Sequence, residues 1–160
     1  MKKSVLIAAL FTLALISVAQ GARAQGKPAL GPDPATIHDS DLEKDSFHNL
    51  EVARQYFKLK KAYFAAFKRC EEIVDGNPNF AKIDEALYMA GMSGLYLSQN
   101  IGKQKIEKIP EQSRLTPEEY REKGRAFLSQ LVNEHPDSSF ARQAQEALRD
   151  LGGPAKSSSQ

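Results

Sequence analysis

The sequence has no tryptophan, a single cysteine and few aromatic residues, which make up 8% of its 160 positions. One cysteine, Cys70, cannot form an internal disulfide, so a disulfide framework is excluded and the fold must depend on apolar packing. No segment alternates apolar and polar residues over the length of a strand. Without strands, there is also no glycine-rich phosphate loop of the strand–loop–helix type. These absences favour an all-α fold.

Prolines occur at breaks between apolar periodic segments, at Pro78, Pro110, Pro117 and Pro136. Because proline inside a helix costs ~3 kcal/mol or more, this placement predicts helices separated by turns. We expect about five helices. The first begins at Ser40, in a capping box with Glu43, and ends at a turn marked by Lys58, Lys60 and Lys61, and the second runs from Tyr63 to a left-handed cap at Gly76. The third runs from about Phe80 to Ser98, the fourth from Thr116, in a capping box with Glu119, to the residue before His135, and the fifth from about Ser138 to Leu151.

Residues 1–24 have the pattern of a secretory signal peptide: two lysines, an apolar run, and the small-x-small sequence Ala22-Arg23-Ala24. We expect cleavage near Ala24/Gln25 and export to the periplasm, with no direct membrane insertion afterwards. The apolar run of about 15 residues is shorter than the roughly 20 that span a bilayer. A retained signal is the alternative, and it would make the chain a signal-anchored structural protein of the envelope.

The remaining domain organisation follows from composition. Glycine and proline dominate residues 25–38, which we predict to be a flexible linker, and a helical domain should occupy residues 39–152. Residues 153–160 are predicted to be a disordered tail. Removing Lys2, Lys3 and Arg23 from the 22 basic residues leaves 19 against 20 acidic ones. That balance gives no electrostatic argument for binding nucleic acid or an anionic membrane.

The segment Glu85-Ala86-Leu87-Tyr88-Met89-Ala90-Gly91-Met92-Ser93-Gly94-Leu95-Tyr96-Leu97 is apolar or small at nearly every position. A helix that is apolar on all sides is enclosed by neighbours. Each glycine costs ~1 kcal/mol relative to alanine in a helix. We therefore predict that Gly91 and Gly94, with Ala86 and Ala90, form a small-residue seam for a closely packed helix. Gly91→Leu should then destabilise the fold through overpacking.

Two breaks in the chain repeat one another. The first has the order Ile73-Val74, Asn77-Pro78, Phe80-Ala81 and Glu85-Ala86-Leu87. The second has similar residues in the same order: Leu131-Val132, His135-Pro136, Phe140-Ala141 and Glu146-Ala147-Leu148. An internal echo of this kind predicts stacked helical hairpins, a short solenoid.

Tyr63-x-x-Ala66-x-x-x-Cys70-x-x-Ile73 followed by Pro78 resembles a tetratricopeptide repeat. More narrowly, Pro78-x-x-x-x-Ile83-Asp84-Glu85-Ala86-Leu87-Tyr88-Met89-x-Gly91 is similar to the BamD/YfiO-like group of periplasmic outer-membrane assembly proteins. The chain departs from these patterns in three ways. Arg54 stands where the first helix of the repeat has glycine, residues 99–109 separate the helices of the second hairpin, and no lipobox cysteine is present.

The resemblance implies a short superhelix of two hairpins and a closing helix, whose first helices line a concave, partner-binding groove. Carried over to this sequence, that face is formed by His48, Glu51, Gln55, Lys58, Tyr88, Met92 and Leu95. Tyrosine and methionine suit such a surface because both are enriched at interfaces. The alternative is that Tyr88 and Met92 are core residues. We expect the charged segment from Lys103 to Arg114 to be a solvated loop, with a binding arm as the alternative.

Candidate chemistry is sparse. His38, Asp39, Asp41, Asp45 and His48 match no compact metal-ligand spacing, and acids at a helix start suit the helix dipole. Cys70 lies on an apolar stripe, so we expect a buried cysteine rather than a nucleophile. We predict no cofactor and no catalytic residue.

The predicted function is therefore that of a non-catalytic, exported scaffold. Its partner should be another cell-envelope protein or a second copy of the chain, and not nucleic acid. A role in outer-membrane protein assembly or envelope organisation follows from the resemblance alone. An envelope enzyme with an unrecognised site is the remaining alternative.

Overall fold

The computed structural model describes residues 40–153, in which five α-helices follow one another without a strand. The helices are α1 (Ser40–Arg54), which continues as a π-helical segment (Gln55–Lys60), α2 (Tyr63–Gly76), α3 (Ile83–Ser98), α4 (Pro117–Glu134) and α5 (Ala141–Asp150). Each helix packs against the next one in sequence, and the predicted all-α superhelix is confirmed. The predicted signal peptide, the linker and residues 154–160 of the tail lie outside the described residues.

The turn between α1 and α2 comes later than expected. Lys58 and Lys60 belong to the π-helical segment, and the chain reverses at Lys61, which has a left-handed backbone conformation with φ of 50°. The backbone N–H of Lys61 donates to Tyr56 O and closes the wide π turn. The cluster of lysines therefore marks the end of the first hairpin helix and not the turn alone.

The turn between α2 and α3 also differs from its prediction. Gly76 is the last helical residue and is not among the residues with positive φ, so it is not a left-handed cap. Asn77 instead joins the turn to α1, because its side-chain Nδ2 donates to Ser46 Oγ at 3.1 Å and to Glu43 Oε2 at 3.2 Å. The other oxygen of Glu43 accepts from Ala81 N at 3.1 Å. With the turn extended in this way, α3 begins at Ile83 and not near Phe80.

Helix α3 is the most enclosed element, with eleven of its sixteen residues buried. Its glycines lie against α4. A Cβ atom on Gly94 would stand 2.8 Å from Tyr120 O and 3.0 Å from Gly124 Cα, and one on Gly91 would stand 2.5 Å from Leu128 Cγ. A Cβ on Gly124 would in turn meet Gly91 O at 2.8 Å. The predicted small-residue seam is thus present, and α4 contributes a third glycine to it.

The connection between α3 and α4 is packed rather than solvated. It forms two short 3-10 turns, Ile106–Lys108 and Glu111–Ser113, and Ile106 and Ile109 are buried. These isoleucines complete a second apolar cluster, whose other buried members are Tyr63, Phe67, Leu97 and Tyr120. The expectation of a plain solvated loop is therefore wrong for the apolar half of this segment.

The ends of α4 and α5 follow their sequence signals. Thr116 Oγ1 accepts from Glu119 N at 3.2 Å while the Glu119 carboxylate accepts from Thr116 N at 2.7 Å, so the predicted capping box is confirmed. Helix α5 begins at Ala141, slightly later than predicted, and ends before Gly152 and Gly153, both of which have positive φ.

A charged triad links α2 to α4. Glu71 is buried, and its carboxylate accepts from Lys68 Nζ and Lys123 Nζ, each at 2.5 Å. Burial by itself raises the pKa of Glu71, but the hydrogen bonds from Lys123 and Lys68 outweigh it and hold that pKa below its ordinary value. The carboxylate is therefore charged at neutral pH and ties the two helices together.

The seam predicts that a single methyl group at Gly94 is costly. Gly94→Ala should lower the free energy of unfolding by ~1–3 kcal/mol through overpacking, because the atoms that its Cβ meets belong to the α4 backbone and cannot rotate away. The control is Gly76→Ala, whose Cβ would meet nothing within 4 Å. Urea denaturation of both variants should show a loss for Gly94→Ala alone. Equal stabilities would rule out the close approach as a constraint.

The Glu71 triad predicts a pH dependence. Because the pKa of Glu71 is lower in the folded state, its contribution exists above the ordinary glutamate pKa and is lost as the pH falls through the folded value. Wild-type protein should exceed Glu71→Gln in stability at neutral pH, and the difference should shrink below about pH 4. Urea midpoints measured across this range test the prediction, with Glu72→Gln, in an exposed pair, as the control. A difference that does not change with pH would contradict it.

Candidate protein-interaction surface

One stripe of α3 reaches solvent in the middle of this enclosed helix. Tyr88, Met92 and Tyr96 are half-buried and spaced four residues apart, which places them on one face, and we call them the α3 stripe. Their neighbours along the helix, from Met89 to Gly91 and from Ser93 to Leu95, are buried. The stripe therefore exposes two aromatic rings and a thioether on a rigid helical support.

At the Tyr88 end, the stripe is continued by the turn before α5. The Tyr88 ring stacks on Phe140, with centroids 5.0 Å apart and an interplanar angle of 22°. Burial raises the pKa of Tyr88, so its hydroxyl stays protonated at neutral pH. Within residues 40–153, that hydroxyl has no hydrogen-bond partner, and it remains available to donate to another molecule.

At the other end, aromatic rings from the first hairpin pack beside Tyr96. The Tyr63 ring lies 4.6 Å and the Phe57 ring 6.0 Å from it, centroid to centroid. Phe57 and Tyr63 also contact each other edge to face at 5.5 Å. The three rings hold the π-helical segment and the start of α2 against α3, and so fix one border of the stripe.

Three residues before Tyr88, a charge pair joins α1 to α3. Arg54 donates through Nε and Nη2 to the two oxygens of Glu85, at 2.8 and 2.5 Å, and its Nη1 contacts Glu51. The Glu85 side chain is only 11% exposed, and the hydrogen bond to it is the main cause of the raised pKa of Arg54. Arg54, which replaces the glycine expected in this repeat helix, thus links α1 to α3, the first helices of the two hairpins.

The structure separates the sequence-predicted residues into three groups. Tyr88 and Met92 lie on the stripe. His48, Glu51, Gln55 and Lys58 are exposed on α1 and its π extension, and among them only Glu51 is linked to α3, through Arg54, within the part of the chain that is described. Leu95 is 6% exposed and belongs to the main core, so it is not a surface residue.

Tyr96 and Arg54 are surface residues that sequence reasoning did not assign to this site. Tyr96 could have been found from its spacing, because it continues the four-residue step from Tyr88 through Met92. The partner of Arg54, by contrast, lies 31 residues away in sequence and follows from no local pattern.

Those residues considered for chemistry that the structure describes are not brought together. Cys70 is fully buried, and burial raises the pKa of its thiol, as expected for a core residue. No group of three or more His, Cys, Asp or Glu side chains in residues 40–153 is arranged to hold a metal ion. His38 and Asp39, which the sequence analysis considered as metal ligands and rejected, lie outside the described residues. None of the helices described has both the length and the apolar content to cross a membrane.

Stacked helical hairpins with a stripe of this kind define an α-helical repeat protein. A family model described as tetratricopeptide repeat matches residues 44–148. The match covers more than half of the chain, which therefore belongs to the tetratricopeptide-repeat family. No curated protein and no solved structure matches the sequence. Tetratricopeptide repeats are generally interaction scaffolds rather than enzymes.

The Arg54–Glu85 pair should contribute more to stability than the exposed Arg69–Glu72 pair. Arg54→Ala should lower the free energy of unfolding by about 1.5–3 kcal/mol, because it leaves a buried carboxylate without its charged donor. Arg69→Ala is the matched control, since the Arg69–Glu72 pair is about half exposed and should contribute roughly 0–1 kcal/mol. Thermal or urea unfolding measures both. Equal losses would mean that Arg54 does not act through Glu85.

Proposed function

We propose that the protein is a non-catalytic scaffold that binds another cell-envelope protein through the α3 stripe. The observation that carries the proposal is the exposure of Tyr88, Met92 and Tyr96 in the middle of an otherwise buried helix. Side chains of these types are enriched at protein interfaces because they offer large apolar contact areas. The family and the buried state of Cys70 support a binding role over a catalytic one.

The stripe has the properties of an anchoring surface. Its borders are held by the Tyr88–Phe140 stack, the Arg54–Glu85 pair and the rings around Tyr96, so little conformational freedom is lost on binding. The Tyr88 hydroxyl adds a hydrogen-bond donor beside the apolar contacts. A partner segment with apolar side chains and one acceptor fits this arrangement.

The place of action is inferred from the sequence. The signal-peptide pattern of residues 1–24 supports export to the periplasm. The similarity of residues 78–91 to the BamD/YfiO-like group supports a role in outer-membrane protein assembly. N-terminal sequencing of the protein isolated from cells tests the export step, and a chain that still begins at Met1 would favour the signal-anchored alternative.

A photocrosslinking amino acid at Met92, in the full chain and in living cells, should yield a discrete adduct with an envelope protein. The same amino acid at Gln145, an exposed position on α5, is the matched control and should yield none. Tyr88→Ala and Tyr96→Ala in the Met92 variant should each reduce the adduct, with circular dichroism confirming that the fold is kept.

Two results would overturn this function. Adducts of the same kind from both positions, or none from Met92 in a folded protein, would show that the stripe is not a docking surface. An adduct formed only with a second copy of the chain would replace the envelope partner by self-association.

A further inference from the structure

The hairpin turn of α1–α2 and the segment after α3 meet at one edge of the protein. Lys103 N donates to Lys61 O at 2.9 Å, and Gln104 Oε1 accepts from Ala65 N at 3.1 Å. Gly102, with φ of 102°, lies so close that a Cβ atom there would stand 2.5 Å from the Tyr63 ring. The two segments are distant in sequence, but these contacts join them into one fixed surface.

Five lysines lie on these two segments, and we call them the lysine edge: Lys58, Lys60, Lys61, Lys103 and Lys105. No aspartate or glutamate occurs between Glu51 and Glu71 or between Glu85 and Glu107. Glu107 itself accepts from Asn100 Nδ2 at 3.1 Å. The chain as a whole is close to neutral, but this edge is strongly cationic.

Most of this charge is not neutralised within the part of the chain that the structure describes. Lys60 lies over the Tyr56 ring at 4.8 Å, and Lys105 Nζ donates to Asn100 O at 2.7 Å. Within residues 40–153, the ammonium groups of Lys58, Lys61 and Lys103 have no hydrogen bond and no ion pair. Three cations on long side chains are therefore free to meet an anionic surface.

Two large apolar side chains are exposed on the same segments. Leu59 is 77% exposed, between Lys58 and Lys60, and Ile101 is 43% exposed. At that exposure Leu59 contributes little to the core, because hydrophobic stabilisation grows with the apolar area removed from water. An edge that combines free lysines with exposed aliphatic side chains matches a surface with anionic groups outside and hydrocarbon beneath.

We propose that the lysine edge docks peripherally on an anionic lipid bilayer, with Leu59 and Ile101 entering the headgroup region. The composition of the edge favours lipid over other anionic partners. Lysine is depleted at protein–protein interfaces, whereas arginine, tyrosine and tryptophan are enriched, and the edge contains no arginine. Single-stranded nucleic acid is bound on exposed aromatic platforms, and the exposed apolar side chains here are aliphatic. A second copy of the same edge would bring like charges together.

Docking at this edge is distinct from the proposed scaffold function. None of the stripe residues Tyr88, Met92 and Tyr96 belongs to the lysine edge, so a partner could be held on α3 while the edge contacts lipid. The docking is peripheral, because what the edge offers to a bilayer is the two exposed aliphatic side chains of Leu59 and Ile101.

The absence of tryptophan allows a direct test in the full chain. Leu59→Trp places a single fluorophore at the edge, and its emission should shift to the blue and become quenchable by brominated lipid when phosphatidylglycerol-containing vesicles are added. Pure phosphatidylcholine vesicles should give no shift. Phe47→Trp is the matched control, because Phe47 is also a partly exposed apolar residue, at 41%, but packs on Phe80 in the turn after α2, at the other end of that helix.

The contribution of the lysines is tested in the same reporter. Lys58→Gln, Lys61→Gln and Lys103→Gln together should weaken vesicle binding on the order of a hundredfold, since each lysine near an anionic surface contributes about fivefold. Lys82→Gln, Arg142→Gln and Arg149→Gln make the same change in net charge elsewhere and should have little effect. Raised salt should also release the protein.

Four outcomes would overturn the proposal. The first is an emission of the Leu59→Trp protein that does not shift with anionic vesicles, and the second is a shift of the same size with neutral vesicles. The third is a shift of the same size in the Phe47→Trp protein. The fourth is a response of the Leu59→Trp protein to polyglutamate but not to anionic vesicles, which would assign the edge to an acidic protein. Because the apolar run at residues 5–19 is the same in every variant, it cannot produce the differences between them.

Discussion

The close approach of α3 to α4 is the constraint on which the rest of this fold depends. Gly91 and Gly94 on one helix and Gly124 on the other leave no room for a Cβ atom, so the two backbones touch. Glycine is unfavourable in a helix interior by ~1 kcal/mol, and the contact must offset that cost at three positions. Backbone contact gives the dense packing that compensates for it.

The position of α3 between its neighbours explains where the candidate surface lies. With α4 on the glycine side and α2 on another, the face of Tyr88, Met92 and Tyr96 stays half-buried within residues 40–153. The α1 helix and the turn before α5 then border this face through the Arg54–Glu85 pair and the Tyr88–Phe140 stack. The apolar and rigid character of this surface therefore follows from the way the core helices pack.

Electrostatics in this protein are local. Basic and acidic residues nearly cancel over the chain, yet Glu71 is held between Lys68 and Lys123, and Glu85 is held by Arg54. The two segments of the lysine edge lie in stretches of sequence that contain no acid between Glu51 and Glu71 and between Glu85 and Glu107. Glu71 and Glu85 are paired at helix–helix contacts, whereas Lys58, Lys61 and Lys103 have no ion pair within residues 40–153. Net charge therefore says little about what such a surface can bind.

The sequence determined the all-α class, the turns at the prolines, the Thr116 capping box and the enclosed character of α3, because each depends on neighbours within a turn or two of helix. Tertiary structure decided that Leu95, which the sequence placed on the binding face, is buried in the core. Tertiary structure also decided that Ile106 and Ile109, in a segment that is otherwise charged, are buried in one apolar cluster with Phe67 and Tyr120. The lysine edge belongs to the same class of feature: Lys61 and Lys103 are 42 residues apart and meet only because the chain has folded.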